Sequence, residues 1–165
     1  MPARWGIPRL VERAATAWAL AGGVLLLAVV AVNTWSVFSR ALGGRPFAGA
    51  FELTEVGVAV AVFAFLPYCQ LVGANVTADI FTAGASRRTL AAFALLASLV
   101  ALGFAVLLAQ RMYLGLLDQR AFGYATTILQ VRIWWAFVPI VGSLVLLALA
   151  AAVTLAESAR VTARG

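Results

Sequence analysis

The segment WALAGGVLLLAVVAV, Trp18–Val32, decides the fold. It holds no charge and only small or aliphatic side chains behind one tryptophan. Extended back to Ala14, the uncharged run reaches 19 residues. A membrane-spanning helix needs about 20 apolar residues, so the run predicts a span over about Ala14–Val37. Arg4, Arg9 and Arg13 precede it. A positive start before an apolar run also describes a secretion signal, whose apolar part is only about 7–15 residues. The longer run here is expected to be an uncleaved anchor.

Three more segments repeat the pattern, at about 56–74, 89–109 and 133–155. Pro67 lies inside the second. It removes one backbone donor and crowds the Phe63 carbonyl, so a kink is expected there, with Gln70 one turn later to serve freed groups. In the third, Ala97, Ala101, Ala105 and Ala109 recur every four residues. In the fourth, Ala148, Ala152 and Ala156 do the same. Such stripes let helices approach closely, although alanine is common enough here for chance to produce them. Trp134 and Trp135 open the fourth span, as an interfacial aromatic belt does.

The rest of the chain agrees. Of 165 residues, 64% are hydrophobic and 11% charged, and the mean hydropathy is +1.02. A soluble domain is about half apolar and a quarter charged. The expected fold is an all-α membrane protein, residues 1–165 forming one four-helix membrane domain. No connection is long enough for a core of its own.

The segment 38–55, FSRALGGRPFAGAFELTE, is the most informative connection. Gly43, Gly44 and Pro46 mark a turn. Beyond it Phe47, Phe51, Leu53 and Val56 alternate with Glu52 and Glu55, which predicts a short interfacial helix before the second span, with Thr54 available as an N-cap. Arg40 and Arg45 stand close in sequence to Glu52 and Glu55. Two readings stay open: separate snorkelling to headgroups, or an ion-pair network that fixes the loop against the bundle or a partner. Asp79 beside Arg87 and Arg88 poses the same choice.

All 12 basic residues are arginines, against 6 acids, giving a net charge of +6. They sit at span ends, where they set topology and meet lipid headgroups. No basic stripe with interleaved aromatics exists, so nucleic acid is not an expected partner. With the N-terminus inside, the cytoplasmic count is Arg4, Arg9, Arg13, Arg87, Arg88, Arg160 and Arg164. Five arginines remain outside: Arg40, Arg45, Arg111, Arg120 and Arg132. The bias, and the strong flank of the first span, place both termini in the cytoplasm.

Inventory removes most chemistry. There is no histidine and one cysteine, Cys69. A Ser-His dyad, a Cys/His metal site and a disulfide-exchange pair are therefore excluded, and no catalytic, metal-ligating or cofactor-binding residue is expected. No span carries a charged residue at its middle, the usual mark of an ion or proton pathway. The first span offers only Asn33, near its end. Asn33 cannot titrate, but it can bond across helices. A helper subunit fits better than a self-contained four-helix homodimeric secondary transporter, the alternative.

Asn33 to Phe81 resembles the small membrane subunit (DctQ type) of tripartite ATP-independent periplasmic (TRAP) transporters. The family shows an Asn near the end of span one, then an Arg, an Arg-Pro-like turn, an acidic pair before span two and a His-Val-x-Val-Asp-like stretch after it. Here these are Asn33, Arg40, Arg45-Pro46, Glu52 with Glu55, and Asn75-Val76-Thr77-Ala78-Asp79. Thr126-Thr127 ahead of Trp134-Trp135 is also similar, so the likeness covers roughly residues 14–155. Asn75 stands where the family often has histidine, and Val131-Arg132 where proline is common. The resemblance implies a non-catalytic accessory subunit in the bacterial inner membrane. It implies two partners: a large multispanning subunit, a separate polypeptide that carries substrate and sodium and moves by an elevator motion, and a periplasmic substrate-binding protein. It also implies import of organic acids or related solutes. Asn33, Arg40, Arg45, Glu52, Glu55, Asn75 and Asp79 become the candidate interface or structural residues.

Overall fold

Uncharged stretches dictate where helices can lie in lipid. They run over residues 14–39, 56–78, 89–110 and 133–156, each bounded by a charged residue. A backbone in hydrocarbon must satisfy its own hydrogen bonds, so each such stretch is expected to hold a helix. The computed structural model describes residues 9–73 and 87–164. Among them are four helices: α1 (Arg9–Ala41), α2 (Ala50–Val72), α3 (Arg87–Phe122) and α4 (Trp134–Arg164). All four are long and apolar enough to cross a membrane. From Arg13 to Arg40 the α1 axis rises about 40 Å, the full thickness of a bilayer with its headgroups.

The helices outrun the expected spans. α3 continues 13 residues past Ala109 and α4 continues nine past Leu155. The expected interfacial helix is not a separate element. Residues 42–49 hold no helix, and Phe51 to Val56 are the first turns of α2 itself. Their alternation with Glu52 and Glu55 is the amphipathic start of a membrane helix. Thr54 is not the N-cap. Gly49 holds that position without a side-chain cap, and Thr54 lies within the helix. Pro67 sits buried inside a continuous α2, and α4 likewise carries Pro139 within it.

Packing follows the small residues. α2 packs on α1 and on α4, α3 packs on α4, and α1 touches α4 more sparingly. At the α1–α2 crossing, Ala15, Ala19 and Gly22 meet Ala61, Ala64 and Leu71, all buried. A methyl group added at Gly22 would sit 2.8 Å from Ala64 Cβ, so only glycine permits this approach. Ala15, Leu71 and Ala150 join α1, α2 and α4 in one cluster, flanked by Val11 and Leu146. The expected stripe on α3 is buried only at Ala105, and Ala97 is exposed. On α4 the phase differs from the expected one. Ala150 and Ala151 are buried, while Ala152 and Ala156 face outward.

Among the described residues, each contact between helices carries at least one side-chain hydrogen bond. Asn33 Nδ2 donates to Thr54 Oγ1 at 2.6 Å, joining α1 to α2. Trp18 Nε1 donates to Ser143 Oγ at 2.8 Å, joining α1 to α4. Gln70 Nε2 donates to Thr154 Oγ1 at 3.2 Å, joining α2 to α4. Ser98 and Ser158 hydroxyls lie 3.4 Å apart, joining α3 to α4. The hydroxyls of Thr54, Ser143 and Thr154 pass their own protons to the carbonyls of Ala50, Pro139 and Ala151. Polar groups in lipid are thereby paired in short relays. Each interhelical bond contributes about 0.6 kcal/mol by the membrane-protein average.

Candidate functional site

The polar residues singled out in the sequence gather where α1 ends and α2 begins. Loop one (residues 42–49) is held by short-range bonds. Gly43 takes φ +77°, the left-handed conformation that glycine enters without cost. Ser39 Oγ donates to the Arg45 carbonyl at 2.9 Å, and the Gly44 amide donates to the Ser39 carbonyl at 2.8 Å. The Phe47 amide donates to Ser36 Oγ at 3.2 Å, which pins the loop to the buried face of α1. One turn earlier, Asn33 donates to Thr54 and to the Val29 carbonyl.

Glu52 makes the longest-range polar contact at this end. Its carboxylate accepts the Ile128 amide at 2.7 Å and the Leu129 amide at 2.9 Å. Both donors lie at the tip of loop three (residues 123–133), which is folded back on itself. Thr126 and Val131 pair through a backbone bond of 3.0 Å, Ile133 donates to the Tyr124 carbonyl, and Ala125 bridges Arg132. Gln130 closes the tip in the left-handed region at φ +53°. Successive amides turned toward one carboxylate form an anion cradle, and a charged acceptor strengthens both bonds. Beside it Leu129 packs on Gly49, where any side chain would collide with it. Glu52 and Gly49 thus tie the start of α2 to the connection between α3 and α4.

The arginines do not join this clamp. Among the described residues no ion pair links Arg40 or Arg45 to Glu52 or Glu55. Arg40, Arg45 and Glu55 are exposed, and Glu52 is partly buried. Asn75 and Asp79 lie outside the described residues. At the far side of loop three, Arg120 stands over the Trp134 ring at 5.7 Å, and Trp134 meets Trp135 edge to face at 6.0 Å. This places cation and aromatics together at the end of α3, within cation–π range.

Several participants carry no advance signal. Ile128 and Leu129 contribute only backbone amides, which any residue would supply. Ser143 and Thr154 look like ordinary small residues in apolar helices. Gly49 lies just beyond the turn read from Gly43, Gly44 and Pro46 and is not singled out by it.

The family model for the DctQ component of tripartite ATP-independent periplasmic transporters matches residues 29–161. The chain belongs to this family. The match takes in Asn33, Glu52, loop three and the interhelical bonds of α2, α3 and α4. No curated protein and no solved structure matches the chain significantly. As a DctQ component, this is a multi-pass membrane protein and the small membrane component of a TRAP transporter, a transporter subunit and not an enzyme. In this chain the Glu52 clamp joins α2 to loop three, and the paired polar groups join helix to helix. Among the described residues no group of three His, Cys, Asp or Glu side chains could hold a metal ion.

Proposed function

We propose that this DctQ component is a non-catalytic scaffold that supports the large, elevator-type membrane subunit of a sodium-coupled importer. The observation that carries this reading is where its polar atoms go. Inside the membrane Asn33, Trp18, Gln70 and their hydroxyl partners bond helix to helix. The charge-free stretches hold no carboxylate, lysine, arginine or histidine, the side chains that usually mark an ion or proton pathway. An assembly of this kind holds a shape and moves no charge.

On this reading a periplasmic binding protein delivers an organic acid or related solute, and the large subunit carries substrate and sodium. The small subunit anchors the static part of that machine in the inner membrane, with both termini in the cytoplasm. Long outward faces agree with a partner-facing role. Phe104 on α3 and Val138 and Leu149 on α4 are more than half exposed, as are many aliphatic neighbours.

Co-purification tests the proposal. A tagged chain, solubilised in mild detergent, is expected to bring down one large multispanning subunit. Reconstituted alone in liposomes, it is expected to move no solute and to dissipate no sodium or proton gradient. Gradient-driven uptake by the chain alone would refute the scaffold role and favour the self-contained transporter.

A further inference from the structure

Loop one stands between two open grooves at the end of the α1–α2 pair. The larger, about 660 Å³, is lined by Val32 and Trp35 of α1, by Arg45, Pro46 and Phe47 of the loop, and by Leu53 of α2. Arg45 is the one charged residue in that lining. Its carbonyl is engaged by Ser39, and no hydrogen bond or ion pair holds its guanidinium among the described residues. Trp35 is 73% exposed and Phe47 45% exposed, so two aromatic faces border the groove. The smaller groove, about 490 Å³, lies along Asn33, Ser36 and Arg40. There Asn33 Nδ2 and Ser36 Oγ are engaged by the Asn33–Thr54 and Ser36–Phe47 bonds, and no tryptophan borders it.

Depth and charge together select an occupant for the larger groove. Val32 and Trp35 belong to the charge-free stretch of α1, whereas Arg45 lies beyond its end. One end of the groove therefore faces acyl chains and the other faces the headgroup layer. A free guanidinium binds a phosphate through parallel N–H···O bonds, and tryptophan favours this depth. A soluble anion would gain nothing from the apolar wall, and in a zwitterionic lipid the headgroup's own ammonium offsets the phosphate charge that Arg45 would meet, so a lipid of net negative charge gains most.

We propose that this groove holds one anionic phospholipid, its phosphate on the Arg45 guanidinium and an acyl chain against Val32, Trp35, Phe47 and Leu53. The site stands independently of the scaffold role proposed above.

The test uses the full chain in phosphatidylcholine bilayers containing phosphatidylglycerol brominated on its acyl chains. Bromine quenches nearby tryptophan, and subtracting the signal of Trp35→Phe isolates Trp35. Brominated phosphatidylglycerol is expected to quench Trp35 at mole fractions where brominated phosphatidylcholine does not. Arg45→Gln should raise the half-quenching mole fraction roughly fivefold, the worth of one basic residue on an anionic lipid surface. Arg40→Gln, across the loop, should leave it within about twofold. Equal quenching by the two lipids, or an unchanged preference in Arg45→Gln, overturns the proposal. So does an effect of Arg40→Gln as large as that of Arg45→Gln, since that is general surface charge. Aqueous glycerol 3-phosphate should not relieve the quenching. Relief would assign the site to a free phosphate and overturn the lipid.

Discussion

Gly22 and Gly23 are neighbours with opposite surroundings, and the pair isolates what close helix approach contributes. A methyl group at Gly22 would lie 2.8 Å from Ala64 Cβ and 3.3 Å from the Ala61 carbonyl oxygen. Neither atom is the end of a flexible side chain, so the backbones themselves must part. Restoring a contact distance of about 3.5 Å moves α1 off α2 by about 0.7 Å at the crossing. A gap of 0.5–1 Å forfeits a quarter to a half of each dispersion contact, and overpacking of this kind costs about 1–3 kcal/mol. A methyl group at Gly23 meets nothing within 4 Å. Both substitutions gain the same helix propensity, up to about 1 kcal/mol, so it cancels in their difference. Gly22→Ala is therefore expected to be less stable than Gly23→Ala by about 1–3 kcal/mol. Unfolding of both variants in mixed micelles with rising denaturing detergent, followed by tryptophan fluorescence, measures that difference. Equal stability, or a more stable Gly22→Ala, would refute the idea that α1 and α2 are held by backbone proximity.

Other variants probe the joints. Glu52→Ala should speed hydrogen exchange at the Ile128 and Leu129 amides, and unchanged protection there would show that the clamp is idle. Glu52→Gln keeps one acceptor and turns a donor toward the other amide, so its effect should fall between wild type and Glu52→Ala. Gly49→Val places a branched side chain in the space of Leu129 and should release loop three, read as faster proteolysis within residues 123–133. Asn33→Ala and Trp18→Phe each remove one interhelical bond and should each cost about 0.6 kcal/mol, with about 1.7 kcal/mol as a ceiling. A larger loss would mean that these residues carry more than a single bond.

The spans were legible because lipid imposes a coarse rule: four charge-free stretches of sufficient length give four helices. Their ends were not. Beyond the hydrocarbon, water again accepts polar side chains, so α3 runs through Arg111, Asp118 and Arg120 to Phe122 without interruption. The alternation of Phe47, Phe51 and Val56 with two acids announced an amphipathic helix, but periodicity does not say where one helix axis stops and another begins. Those turns belong to α2. In the run Ala148–Leu149–Ala150–Ala151–Ala152, four of five positions are small, so no phase could be read from residue type. Asn33 was visible as a residue able to bond across helices, and Thr54 is its partner. Glu52 stood out by charge, whereas its partners are backbone amides of a loop more than 70 positions away, which leave no mark in the sequence.

Helix α3 is joined to the molecule through α4, and α1 chiefly through α2. The polypeptide is thus two hairpins, each with its own internal bond, sutured by α2 and α4. It follows that, among the described residues, the seam between the two hairpins is closed by surfaces of α2 and α4 and by the sparser contact of α1 with α4. Two separately translated halves, one ending after α2 and one beginning before α3, retain every surface of the seam that Leu71, Ala150, Gln70 and Thr154 create. Such halves would meet by lateral diffusion in the bilayer, and the molecule could be dismantled and rejoined along a line its own packing has already drawn.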